Sequence, residues 1–238
     1  TPPPDGLRCP PIEPGGSDDA ARAAVQHHGY ADCFVKVPGG TVVMGAQSVD
    51  PQAPSFDLDA LPHEGPPRVA QVSDLWVLAD EASAALWDTC VRDGACDPAN
   101  AKEGVGLSTW GTENAWQTPM NNVNWMGAVQ ACGWLGGRLL TEAEWAWVAR
   151  GPEALTFTWG TGPCPHVTPQ QTHTPDPTAP KSLRCPMDQP IWFSQLHDRT
   201  RDGVRGMAGN VWEWVDDPFD GDPNRRVQRG GGWTAETV

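Results

Sequence analysis

The sequence predicts one α+β domain in which loops outweigh helices and strands. Three observations lead there. Gly (26) and Pro (25) make up about a fifth of the 238 residues, which is high for a globular chain but short of low complexity. Hydrophobic residues at 39% suffice for a packed core, and the length fits a single domain. Thirteen Trp against one Tyr give that core large apolar bodies, each with one N–H to satisfy, where long helices are lacking.

In chain order, residues 1–32 read as a Pro/Gly-rich arm carrying a short Ala-rich helix from Asp18 to Gln26. Residues 33–238 read as the domain proper, with its C-terminal part cut short. Phe34 to Gly45 suggests two short strands around the Pro38-Gly39-Gly40 turn, and Val69 to Leu78 alternates as a further strand. Residues 46–67 are an acidic, Pro-rich loop. Glu81 to Arg92 places Ala82, Ala85, Leu86 and Thr89 on one helical face. Residues 98–118 read as loop, then Trp125 to Leu135 as a helix stopped by Gly136-Gly137. Thr141-Glu142-Ala143-Glu144 is a capping box opening a third helix, which ends before Gly151-Pro152. Residues 160–205 are almost all loop.

A net charge of −14, with no Lys/Arg cluster, argues against nucleic-acid or anionic-membrane binding. No apolar run is long enough to insert into a membrane. The chain begins at Thr1 and not Met, as a processed chain or a fragment would, so export stays open.

Six of the seven cysteines lie in polar, Pro/Gly-rich surroundings that suit disulfides in an oxidising, extracytoplasmic compartment. The pairing read from their placement is Cys90–Cys96 and Cys164–Cys185, which leaves Cys9–Cys33. Cys132 lies in an apolar helical stretch and reads as a buried free thiol. Zinc ligation is disfavoured because there is no CxxC pair and the histidines do not cluster with the cysteines. His27-His28 and His63-Glu64 have no partner at helical spacing.

Three segments carry a wider pattern. The first is Val35-Lys36-Val37-Pro38-Gly39-Gly40 with Met44-Gly45. The second runs from Thr118 to Trp125 and on through Trp134-Leu135-Gly136-Gly137-Arg138-Leu139-Leu140-Thr141-Glu142-Ala143-Glu144-Trp145. The third is Met207-Ala208-Gly209-Asn210-Val211-Trp212-Glu213-Trp214 with Arg229-Gly230-Gly231-Gly232-Trp233. Together they closely resemble the formylglycine-generating enzyme, or sulfatase-modifying factor, family over about residues 33–233. The resemblance implies a C-type lectin-like fold, single-domain and poor in regular secondary structure. It also suggests that Trp145, Trp212 and Trp214 belong to the core. Arg138, Glu144 and Glu213 would then form a buried, hydrogen-bonded ion network, in the same motif as Asn210.

Active family members use a cysteine pair to bind Cu(I) and oxidise a substrate cysteine to formylglycine, since two soft thiolates suit that ion. Here Gly232 stands at the position of the family's serine and Ala235 at that of its first cysteine. Copper is therefore not expected, and neither is formylglycine synthesis. A family calcium site maps onto Gly206, Met207, Gly209 and Val211. Three of these would offer backbone carbonyls (Met207, Gly209, Val211), but Gly206 brings no side-chain oxygen, so the resemblance implies calcium at reduced affinity. A second family calcium site begins near His166, again a mismatch. The acidic stretch Asp216, Asp217, Asp220 and Asp222 reads as a solvated loop before it reads as a cation site.

The expected function is a non-catalytic, extracytoplasmic binding or scaffold module. It would take a protein or small ligand at the lectin-like loop surface preceding Trp233. The alternatives are a formylglycine-generating oxidase acting on sulfatase cysteine, and a retroelement-diversified ligand-binding variable protein on the same scaffold. A related ergothioneine-pathway sulfoxide synthase would need a His-rich iron-binding helical domain, which these residues lack.

Overall fold

The structure is a computed structural model. It describes residues 34–232 except 54, 58–59, 61, 104–107, 113–114, 116–117, 156 and 159–197. The expected Asp18–Gln26 helix, Cys9, Cys33, Cys164, Cys185, His27, His28, His166, Trp233 and Ala235 lie outside the described residues.

Among the described residues the chain forms β1 (Phe34–Val37), β2 (Gly40–Met44), β3 (Arg68–Val72), β4 (Leu75–Leu78), α1 (Ala84–Arg92), α2 (Trp125–Trp134), α3 (Glu142–Arg150), β5 (Glu213–Phe219) and β6 (Asp222–Arg229). Short 3-10 turns lie at Pro62–Glu64 and Pro98–Asn100. This is the loop-rich α+β architecture expected of a C-type lectin-like domain.

The strands pair across the chain and not in the hairpin that sequence proximity suggests. β1 lies antiparallel to β4, with Val35 opposite Val77, and β2 antiparallel to β3, with Val42 opposite Ala70. The expected single strand from Val69 to Leu78 is thus two strands broken at Ser73-Asp74. The break is stabilised where Asp74 Oδ1 accepts the Gly39 N–H at 2.8 Å, joining the two turns. The 216–222 stretch, expected as loop, is the β5–β6 hairpin, with Glu213 opposite Arg229 and an irregular register around Pro218.

The three helices start where a side chain satisfies the first free N–H groups. Ser83 Oγ accepts the Leu86 N–H (3.0 Å) and Asn124 Oδ1 the Gly127 N–H (2.9 Å). α3 has the full reciprocal box between Thr141 and Glu144, and Asp217 Oδ2 accepts the Glu142 N–H at 2.6 Å. α1 begins at Ala84, later than the Glu81 expected, because the extended Ser83 caps it there.

Two apolar clusters form the interior. One joins β1–β4 and α3 to Val204, Met207 and Val215, and the other joins α1 and α2 to Trp110, Met120 and the Cys90–Cys96 disulfide. Indole N–H groups tie distant segments together: Trp147 donates to Pro38 O (2.8 Å), Trp125 to Val215 O (3.1 Å) and Trp214 to Val123 O (3.0 Å). The Trp-rich composition therefore packs the core and supplies directional bonds where ladders are short.

Candidate functional site

The motif residues converge on one region, where α3, the 206–211 loop, β5 and the Gly230–Gly232 backbone meet. α3 anchors it. Arg138, just before the helix, forks onto Glu144 through Nη1 (2.7 Å) and Nη2 (2.6 Å), and the Thr141 N–H also reaches Glu144 at 2.7 Å. Burial pushes the Glu144 carboxyl up, but the Arg138 and Thr141 bonds together bring it below its ordinary range. The guanidinium of Arg138 lies open to solvent.

One turn into α3, Trp145 is buried and its indole N–H donates to Glu213 Oε2 at 3.1 Å. The Arg229 guanidinium lies over the Trp145 ring, 5.1 Å from its centre. Although Glu213 as a residue is half-buried, its carboxyl group is enclosed. Burial pushes it well above the usual carboxylate range, the Trp145 bond and Arg229 oppose this, and the neighbouring Asp198 charge adds to it. The three ionic residues expected as one buried network are thus split. Arg138 and Glu144 form a pair at the surface, with the guanidinium open and the carboxyl largely covered, and Glu213 lies in a different, acidic neighbourhood.

That neighbourhood holds the 206–211 loop. Asp198 is 1% exposed, and its two oxygens accept the Gly206 N–H (3.0 Å) and the Ala208 N–H (3.2 Å). Glu81, just before α1, accepts Asn210 Nδ2–H at 2.6 Å and the Val211 N–H at 3.3 Å. Asn210 is itself 1% exposed and holds a left-handed backbone with φ 61°. Burial, then the nearby Glu213, pushes the Glu81 carboxyl well up, against the pull of the Asn210 bond. Glu81 and Asp198 were missed by sequence reasoning. The sequence reading put Glu81 at the first position of a helix and Asp198 within the 160–205 loop, and at neither place does a periodicity signal burial.

Beyond this loop the backbone turns Trp212 outward. Its indole is 43% exposed, which corrects its expected place in the core; Trp214 is half-buried, and of the three Trp only Trp145 is buried. Gly231 and Gly232 are buried, and a Cβ on Gly232 would come within 2.9 Å of Trp212 Cδ1. The Trp212 indole therefore packs against the Gly232 backbone.

For calcium the fit is poor. Met207, Gly209 and Val211 offer carbonyls, but Gly206 offers no side-chain oxygen, and a Cβ there would lie 2.8 Å from Glu81 Cδ. No group of three or more His, Cys, Asp or Glu among the described residues is arranged to hold a metal ion. In the acidic stretch, Asp217 caps α3 and Asp222 Oδ1 accepts the Asn224 N–H at 2.9 Å. For copper, the described residues supply Cys132 as a free thiol, half-buried and pushed up to about 11 by burial, alongside the bonded Cys90–Cys96 pair. They do not contain a thiolate pair.

A lectin-like domain with this motif set defines a class, and comparison identifies it. Residues 20–238 match the sulfatase-modifying factor enzyme 1-like domain, and the chain belongs to that family. It is 28% identical over 247 residues to the formylglycine-generating enzyme of Thermomonospora curvata, covering 79% of this chain and 72% of that protein. It is also 30% identical to the bovine (Bos taurus) inactive C-alpha-formylglycine-generating enzyme 2, over 48% of this chain and 38% of that protein. In fold it is similar to PvdO of Pseudomonas aeruginosa (TM-score 0.50, 20% identity, 84% and 82% of the two chains). It is similar also to CarF (TM-score 0.51, 15% identity, 86% and 89%). The relatives thus include proteins described as active and as inactive.

Proposed function

We propose that this chain is a non-catalytic, extracytoplasmic module of the family, which binds a protein or small ligand at the loop surface around Trp212 and Gly230–Gly232. The observation that carries the reading is the substituted redox position: Gly232 and Ala235 stand where the family's serine and first copper cysteine would be. The Cys90–Cys96 disulfide supports an oxidising compartment.

Anaerobic Cu(I) titration against a colorimetric chelator is the first test. The expected outcome is no copper retained by the protein; a tight one-to-one complex overturns the reading. The Thermomonospora curvata relative favours a second reading, a formylglycine-generating oxidase. Incubating the chain with copper, oxygen and a Cys-x-Pro-x-Arg peptide separates the two. Aldehyde formation, detected with a hydrazine probe, would establish the oxidase.

A further inference from the structure

We infer that Asp198 and Glu81 set the 206–211 loop, and through it the outward position of Trp212, without a divalent cation. The loop is gripped from its N–H side at both ends. Asp198 takes the N–H groups of Gly206 and Ala208 at 3.0 and 3.2 Å, and Glu81 takes the Asn210 amide and the Val211 N–H at 2.6 and 3.3 Å. Four donors of one short loop thus converge on two carboxylates from two other parts of the chain. Bonds from N–H groups to a carboxylate are among the stronger polar contacts, and more so where water is excluded.

A cation would have to act on the same loop through its carbonyls, with a charged oxygen close by. Glu81 and Asp198 already accept the loop's own N–H groups and Glu213 accepts the Trp145 indole, so the position left for that oxygen is the one the family resemblance gives, here Gly206. Its backbone has φ 85°, a conformation that side chains rarely adopt, and Glu81 already fills the space beside it. Both Glu81 oxygens are engaged by loop donors, so this carboxylate serves the loop directly. Val211, held by Glu81, immediately precedes Trp212, so the grip on Val211 fixes where the indole emerges.

The consequence for the binding surface rests on the proposed function, but the test does not: it reads the loop itself. Thermal unfolding of the chain is measured in millimolar calcium chloride and in EGTA, and hydroxyl-radical labelling of Trp212 is followed by mass spectrometry in both. The expected result is a Tm shift below about 1 °C and equal Trp212 labelling. The calcium titration is repeated on D220N/D222N, which removes the exposed acid of the β5–β6 turn. A saturable calcium shift that persists in that variant and changes Trp212 labelling overturns the inference; one that disappears there, or leaves Trp212 labelling unchanged, arises elsewhere and leaves the loop as inferred. D198N turns an amide group against a loop N–H, and should lower Tm by about 5 °C or more or prevent folding. E81Q should lower Tm less and change Trp212 labelling, and calcium should rescue neither variant. Unchanged Tm and unchanged Trp212 labelling in both variants also overturn the inference.

Discussion

Glu144 and Glu213 lie in adjoining parts of one motif, yet their surroundings drive them in opposite directions. Glu144 faces a guanidinium fork and a helix N-terminus, and these outweigh the burial that pushes its carboxyl up. Glu213 is enclosed beside Asp198 and Glu81, with a neutral indole N–H as its close donor and Arg229 as its compensating charge. The pair shows that an acidic residue in a motif has no intrinsic role. Burial costs the charged form in both places, and the decisive difference is whether a cation and several N–H groups are close enough to offset it.

The largest expected effect comes from crowding the enclosed carboxylate. Gly230 has φ 87°, and a Cβ there would run into Glu213 Oε2. Gly230→Ala should cost about 3 kcal/mol in urea unfolding, from strain and overpacking combined. A loss below about 0.5 kcal/mol would show that the enclosure is loose.

Next is removal of the enclosed charge. The folded state holds the Glu213 proton more tightly than the unfolded chain does. Its contribution to stability is therefore greatest below the ordinary value of 4.5 and declines as pH climbs through the raised folded value. Glu213→Gln keeps an oxygen to accept the Trp145 N–H and removes that decline. It should gain about 1–2 kcal/mol at neutral pH and little at pH 4, read as Tm against pH. A variant less stable than the parent at pH 7 would contradict the raised value.

The Arg138–Glu144 pair gives the mirror image at smaller size. The folded-state value of Glu144 is depressed, so its stabilisation is present above 4.5 and is lost as pH falls through the folded value. Arg138→Ala should cost about 0.5 kcal/mol at pH 7, discounted because the guanidinium is exposed and screened. That loss should shrink towards zero in acid and in 1 M salt; a cost independent of both would point to packing.

The smallest effect concerns the free thiol. With its value pushed up to about 11, Cys132 should label with maleimide at pH 8 far more slowly in the folded protein than after unfolding. Equal rates would place it at an open surface.

Local chemistry was legible in the sequence. The Thr141–Glu144 box, the glycine stops after α2 and α3, and the tight Cys90–Cys96 loop involve residues within a few positions of each other, and the structure contains each of them. The motif strings were legible too, and the family they indicated is the one the chain belongs to. Tertiary structure alone decided which strands pair, because β1 and β2 have similar apolar patterns and nothing in either specifies β4 or β3 as its partner. It alone brought Glu81 to Asn210 across 129 positions and turned Trp212 to solvent while Trp145 went inside. The reason is physical. A cap or a tight turn is closed by neighbours whose separation the chain already sets, whereas burial and long-range pairing depend on how loops of many residues close. That closure carries no periodic signature in a chain so rich in Gly and Pro.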